Sequence, residues 1–241
     1  MIAWIQQGLG WYHSIDLPLG LATPGARGWD ARAKIFDVAG QVRGKTVLDL
    51  GAMEGGDSFF AEEMGAVVTA YDVDCPLEYD LGRNEAWDHF FGLYEEARRA
   101  GPEAEWLFRN CKNVGFQFCK GARRSKVHRI SGSIYDLDPT VHGTFDIVYC
   151  FGLLYHLRHP LLALDRIAAV AREKVFLNNQ IIGTGRDPSG LHFFNEKWRG
   201  AYSNWFVPTP AAFLDMLGSS GFSKVEVVGL SDTAISVICY K

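Results

Sequence analysis

Thr46-Val-Leu-Asp-Leu50 runs straight into Gly51-Ala-Met53-Glu-Gly55-Gly56, and this junction decides the fold. The first five residues are a short, mostly apolar run bounded by a glycine, which is how a strand buried on both faces of a parallel sheet reads. Ser58 to Met64 then carries Phe59, Phe60 and Met64 on one helical face, and Gly65 stops it. Ala66 to Asp72 is a second strand. Strand, glycine loop, helix and strand form a nucleotide-binding unit. Asp72, about 20 residues past the loop, fits a carboxylate that accepts hydrogen bonds from both hydroxyls of a ribose.

Outward from this unit the same alternation continues. Lys126 to Ser131 and Phe145 to Phe151 read as the third and fourth strands, and Lys174 to Leu177 opens a fifth. Pro160 to Arg172 is a helix with proline at its start and Leu161, Leu164, Ile167, Ala168 and Ala171 at helical spacing. Thr209 caps a late helix whose first residue is Pro210. Val225 to Leu230 and Ala234 to Tyr240 are joined by Ser231-Asp-Thr233, short enough for a hairpin. The expected architecture is α/β: a seven-stranded, mostly parallel sheet with a C-terminal antiparallel hairpin and helices on both faces.

The 241 residues suit one domain. Residues 1–40 read as an irregular wrap ending in a helix near Trp29 to Ala39, and residues 84–126 and 183–206 as lid-like insertions. Within the first insertion, residues 84–100 look helical and 101–126 resist assignment.

The loop also discriminates between ligands. In a dinucleotide fingerprint the second glycine lets the backbone approach a pyrophosphate. Here Met53 stands in that place, which disfavours NAD. S-adenosyl-L-methionine has an adenosine but no phosphate, and its ammonium suits a carboxylate such as Asp49.

The segment Phe145-Asp-Ile-Val-Tyr-Cys-Phe-Gly-Leu-Leu-Tyr-His-Leu-Arg-His-Pro160, together with Val47 to Gly51 and Val68 to Asp72, resembles the class I methyltransferases, which are Rossmann-like. Within them the chain looks most similar to the wobble-uridine tRNA methyltransferase-like family. Trp11-Tyr-His-Ser-Ile-Asp-Leu-Pro18, Thr23-Pro-Gly25, Gly152-Leu-Leu-Tyr-His156 with Pro160, and Phe206-Val-Pro-Thr209 carry that likeness, which spans roughly residues 8 to 230. The resemblance implies that Asp49, Gly51 and Gly55, with Met53 between them, hold the methionine part of the cofactor. Asp72, with Val73 beside it, would hold the ribose. Ser133, Ile134 and Tyr135 would flank the adenine, although many relatives have an acidic residue where Ser133 stands. Phe151 and Gly152 would floor the pocket. Relatives that use a carboxylated cofactor place an arginine before their Phe-Ile-Pro. Tyr202-Ser-Asn-Trp-Phe-Val-Pro208 has none, so plain S-adenosyl-L-methionine is the expected cofactor.

Methyl transfer is an in-line displacement in which alignment and exclusion of water supply most of the help. A base is needed only where the acceptor must lose a proton. His156, at the end of the fourth strand, is the first candidate, with a wall of the cofactor pocket as its alternative role. His13 is the second, and its wrap could fold over the pocket mouth. His159 and His128 read as exposed and structural, respectively. Trp29, Tyr155, Asn179, Tyr202 and Trp205 are candidate acceptor contacts.

Composition limits the partners. A net charge of -4 gives no overall pull towards nucleic acid. One stretch runs against this: no acidic residue lies between Glu105 and Asp136, a span that holds Arg109, Lys112, Lys120, Arg123, Arg124, Lys126 and Arg129. It is either a solvated connector or a patch for an anionic substrate. The five cysteines form no CxxC pair, so no metal site or disulfide framework is expected. No apolar run is long enough to span a membrane, and nothing at the N-terminus reads as a signal peptide, so the cytoplasm is the default location. The leading reading is methylation of an O or N atom of a small molecule such as a sugar or secondary metabolite. The alternatives are a tRNA wobble-uridine methyltransferase and a non-catalytic cofactor-binding protein.

Overall fold

The computed structural model describes residues 11–82, 85–184, 187–194 and 204–241. Seven strands form the main sheet: β1 (Thr46–Leu50), β2 (Val67–Asp72), β3 (His128–Ser131), β4 (Phe145–Phe151), β5 (Ala171–Gln180), β6 (Lys224–Leu230) and β7 (Ala234–Tyr240). Their order is β6-β7-β5-β4-β1-β2-β3. β3, β2, β1, β4 and β5 pair in parallel. β7 enters antiparallel against β5 and hairpins back to β6. The expected α/β sheet with its terminal hairpin is the observed one.

Each central strand presents alternate residues to opposite faces. Val47, Ile147 and Phe176 face one core; Leu48, Val148 and Leu177 face the other. Helices α1 (Asp30–Ile35), α2 (Val38–Gln41), α3 (Gly56–Glu63), α4 (Glu85–Ala100), α5 (Pro102–Arg109), α6 (Cys111–Arg123), α7 (Pro139–His142), α8 (Pro160–Val170) and α9 (Pro210–Gly218) complete the layers. The first core takes Phe36, Phe59 and Phe116 from α3, α6 and the turn between α1 and α2. The second takes Ala163, Leu164 and Ile167 from α8 and Phe213 and Leu217 from α9.

The helix expected near Trp29 to Ala39 is two, α1 and α2; among the boundaries that differ from expectation, pairing explains two. The helix expected to reach Arg172 ends at Val170, because Ala171 already pairs with Phe145 of β4. β5 begins at Ala171, ahead of the expected Lys174, through the same pairing with β4, and ends as expected in the polar run at Gln180, which meets Ala234 of β7. The unassigned stretch 101–126 is two helices, α5 and α6. α6 is a core element, with Phe116 and Cys119 fully buried against α3 and its neighbours. In the second insertion, Leu191–Phe193 pairs antiparallel with Phe206–Pro208. The five cysteines are all buried and unpaired.

Candidate active site

The strand order reverses between β1 and β4, and the crevice at their carboxyl ends is where such sheets take ligands. A cavity of about 440 Å³ opens there. Gly51 and Met53 from the loop after β1 line it, with Asp72 and Val73 from the end of β2, Ser133 to Tyr135 after β3, and Phe151 and Gly152 at the end of β4. Nine of the eleven expected cofactor residues therefore stand around one cavity, brought together by four strand ends.

The loop is shaped by backbone geometry. Gly51, Met53 and Gly55 all have left-handed φ, at +71°, +51° and +91°. Met53 is the one side chain among them. Its N–H donates to Asp72 Oδ2 at 2.7 Å, while Val73 N–H donates to Oδ1 at 2.8 Å. Those two bonds fix the Asp72 carboxylate and leave acceptor capacity on both oxygens, which have about four lone-pair sites between them.

Asp49 and Gly55 lie off the cavity lining. Asp49 is buried and accepts a 2.5 Å hydrogen bond from Ser58 Oγ. Burial first, and then the charge of Asp57, push its carboxyl up to about 7, against the pull of the Ser58 hydroxyl. Gly55 backs onto the core: a Cβ there would stand 2.7 Å from the Phe116 ring and 2.8 Å from that of Phe59.

The start of α3 is ringed by carboxylates. Glu54 accepts the backbone N–H groups of Tyr12 and His13, both at 3.2 Å. His13 lies 3.4 Å from Glu54 and 3.5 Å from Asp57, and Arg32 grips Asp57 through two nitrogens at 3.0 and 2.6 Å. Burial works to lower the His13 pKa, but its hydrogen bonds with Asp57 and Glu54 overcome this and raise it to about 9. A pyrophosphate needs the free amides of a helix N-terminus. Here three carboxylates surround that end of the helix.

The histidine candidates separate. His156 lines the cavity beside Tyr155, the two rings 4.3 Å apart. His13 is 3 % exposed, held between the two carboxylates and off the lining. Among the candidate acceptor contacts, Tyr155 lines the cavity. Trp29 stacks on Phe60 at 3.7 Å between centroids. Asn179 is buried, with Nδ2 donating to Gln180 O at 2.8 Å. Trp205 is buried too, its indole donating to Asp80 O at 2.6 Å. None of these three is on the lining. Tyr202 lies outside the described residues.

Several lining residues were missed by sequence reasoning: Tyr12, Arg27, Tyr79, Asp80 and Asn204. Gln180 was expected, with Asn178 and Asn179, as a hydrogen-bonding partner for a polar acceptor, and it lines the cavity. It ends the polar run from Asn178, and strand alternation turns it to the opposite side from Asn179. Its Oε1 is buried without a hydrogen-bond partner among the described residues. Asp80 was invisible because its role is tertiary. It accepts the Tyr135 hydroxyl at 2.6 Å and the Arg158 N–H at 2.7 Å, tying one cavity wall together.

The basic stretch is largely used inside the molecule. Arg109 pairs with Glu105 at 3.1 Å, Arg129 with Asp74 at 2.6 Å, and Arg123 with Glu63 and the carbonyl of Asp16. Lys112 is buried, its ammonium 4.8 Å from the Tyr79 ring centroid. Burial works to lower its pKa, and Tyr79 and Asp72 raise it. All of these acidic partners lie outside the stretch 109–129. Among the described residues, no cluster of histidine, cysteine and carboxylate side chains could hold a metal ion, and no helix is long and apolar enough to cross a membrane.

Comparison with known proteins supplies independent findings. A family model described as a methyltransferase domain matches residues 29–205. A tRNA U34 carboxymethyltransferase of Tolumonas auensis is 27% identical over 108 residues, 45% of this chain and 32% of that protein. One from Desulforapulum autotrophicum is 30% identical over 102 residues, 41% of this chain and 30% of that protein. The matches thus span about a third of the length of these curated relatives. The N-terminal domain of EvdMO1, solved in the presence of SAH and D-fucose, superposes with a TM-score of 0.67 at 20% identity, covering 99% of this chain and 95% of that one. An O-methyltransferase family protein from Burkholderia thailandensis superposes with a TM-score of 0.54 at 9% identity, covering 88% and 56%. At these identities the structural likeness is one of fold.

Proposed function

This chain belongs to the methyltransferase-domain family, and on that premise we propose that it transfers a methyl group from S-adenosyl-L-methionine to an oxygen or nitrogen atom of a small polar molecule, such as a sugar or secondary metabolite. The observation that carries the reading is the Asp72 carboxylate, held by two backbone N–H groups at the cavity and still able to accept from a ribose. Met53, standing where a dinucleotide fingerprint needs a glycine for close approach of a pyrophosphate, favours this cofactor over a dinucleotide. Bound there, the cofactor supplies an electrophilic methyl group on a sulfonium.

The chain's own residues would align the acceptor and exclude water. Tyr12, Arg27, Tyr155, His156, Gln180 and Asn204 line the cavity together, and most of their side chains offer hydrogen bonds to a polar acceptor. His156 would take the proton from an acceptor that must lose one. His156→Asn is then expected to lower kcat by about 10²- to 10⁴-fold with the dissociation constant of S-adenosylhomocysteine unchanged. A pocket-wall role would show the reverse: weaker S-adenosylhomocysteine binding with kcat kept. His13, charged and held by two carboxylates, is better suited to positioning than to accepting a proton.

The internal use of Arg109, Arg123 and Arg129 supports a small acceptor over a polynucleotide. The fold shared with the EvdMO1 domain, which was solved with D-fucose present, is in keeping with that class. A second reading, methylation of tRNA, is favoured by the names of the curated relatives. Calorimetry with S-adenosylhomocysteine and with NAD, followed by labelled S-adenosyl-L-methionine offered to a metabolite extract and to bulk tRNA, tests both. Label is expected in the low-molecular-weight fraction. Label in tRNA, with binding that falls steeply as salt rises, would move the assignment to the second reading, and tight NAD binding would remove both. Cofactor binding with no transfer to either fraction would favour a non-catalytic binding protein.

A further inference from the structure

We propose that Glu54 is a positioning residue that ties the strap of residues 11–28, and with it Tyr12 and Arg27, to the cofactor loop, so that filling the loop closes the acceptor end of the cavity. The inference rests on the cofactor reading given above.

Glu54 sits between Met53 and Gly55 in the loop, yet its side chain turns away from the cavity. It accepts the N–H groups of Tyr12 and His13 on its two oxygens, at 3.2 Å each. His13 continues the link, reaching Asp57 in the first turn of α3 at 3.5 Å. Its side chain abuts Gly56, where an added Cβ would come within 2.7 Å of it. The strap is thus seated on backbone and carboxylates of the same segment that would receive the methionine part of the cofactor.

What the strap delivers is the acceptor end. Tyr12 and Arg27 are neighbours across a local turn: Arg27 N–H donates to Tyr12 O at 3.1 Å and Ser14 N–H to Arg27 O at 2.9 Å. Both side chains line the cavity. Arg27 is its one arginine or lysine among the described lining residues, and no ion pair is formed by it among them. Much of the strap is irregular. Its regular structure is two two-residue strands, Asp16–Leu17 with Leu21–Ala22, and Leu19 and Leu21 are largely exposed. A segment with so little regular structure has low local stability. Ile15 is buried in the core with Trp11 and Leu17 packed against it, Arg123 donates to the carbonyl of Asp16, and the Thr23 hydroxyl accepts from Ile15 N–H and donates to His13 O; the link to the cofactor loop itself runs through Glu54 and Asp57. Coupling between loop and strap is reciprocal: whatever orders one strengthens the other by the same factor.

Amide hydrogen exchange of the full chain, with and without S-adenosylhomocysteine, tests this directly. In the wild type the ligand is expected to slow exchange in residues 11–28 on the order of tenfold, a normal size for coupling between two sites. Glu54→Gln keeps the size of the side chain but loses the charge facing His13. It should abolish most of that ligand-dependent slowing and weaken S-adenosylhomocysteine binding by the same factor, and Glu54→Asp should restore part of both. Equal slowing in wild type and Glu54→Gln would overturn the proposal. So would ligand binding that leaves the wild-type strap exchanging as before, a result that needs no variant to fold. If calorimetry finds no S-adenosylhomocysteine binding to the wild type, the cofactor reading falls and the proposal with it. Binding with an indifferent strap removes the proposal alone.

Discussion

Asp72→Ala is expected to weaken S-adenosylhomocysteine binding by about 100-fold. A hydrogen bond to a charged group contributes roughly 1.5–3 kcal/mol, two such bonds to a ribose about 3 kcal/mol at the low end, and each 1.4 kcal/mol is about tenfold. The substitution also strips the Met53 and Val73 N–H groups of their acceptor, so the loop loses its tie to β2. Asp72→Asn should not rescue well. Whichever way the amide turns, its NH₂ meets one of those two N–H donors. Calorimetry on both variants checks this, and an affinity within about threefold of wild type would show that Asp72 holds the loop and not the ligand.

Gly55→Ala is expected to lower the melting temperature by about 4–24 °C. Two costs add. A non-glycine residue at φ +91° carries backbone strain of about 1–3 kcal/mol. Overpacking against Phe116 and Phe59, which an alanine Cβ would meet at 2.7 and 2.8 Å, adds about 1–3 kcal/mol. For a chain of this size each kcal/mol shifts the melting point by about 2–4 °C. Gly51→Ala is the control: its φ is also positive, but the added Cβ meets only Leu153 at 3.5 Å. It should melt above Gly55→Ala by the steric part alone. Equal melting points would mean that Phe116 yields and the strain is all in the backbone.

The parts of the fold that sequence made legible are those where local pattern and tertiary role agree. Thr46–Leu50 and Phe145–Phe151 are buried on both faces and read as apolar runs because both faces have to be apolar. Asp72 was legible because its spacing from the loop follows from one helix and one strand. Placement was not legible where side-chain direction or packing decides. Asp49 and Gly55 belong to the loop by sequence, but one faces Ser58 and the other faces Phe116. Trp29, Asn179 and Trp205 stand off the cavity lining, each packed on or hydrogen-bonded to a neighbour. α6 was obscured by Gly115 and Gly121, which weaken its helical signal. Its Cys111, Gly115, Phe116 and Cys119 nevertheless recur at helical spacing, a pattern that small residues hide from a hydrophobicity reading. The strap's contribution of Tyr12 and Arg27 has no local signature, since it arises from a loop reaching across to another part of the chain.

The position of β1 has a consequence for how the molecule comes to exist. One neighbour, β2, follows it almost at once; the other, β4, reaches it across a loop of a hundred residues, where Asp146 meets Thr46. Non-local parallel pairing of this kind is slow to nucleate. The cavity has one wall from each side of that closure, so a chain with β1 and β2 already paired would hold Asp72 and its loop but lack the floor of Phe151 and Gly152. Ligand affinity is therefore a property of the finished sheet and of nothing earlier. A ligand that binds only the completed fold stabilises it in proportion to the logarithm of its concentration, by about 2.7 kcal/mol at a hundred times its dissociation constant. In that sense the cofactor would act as the last tertiary contact of the fold, and its supply would govern how long the folded molecule survives.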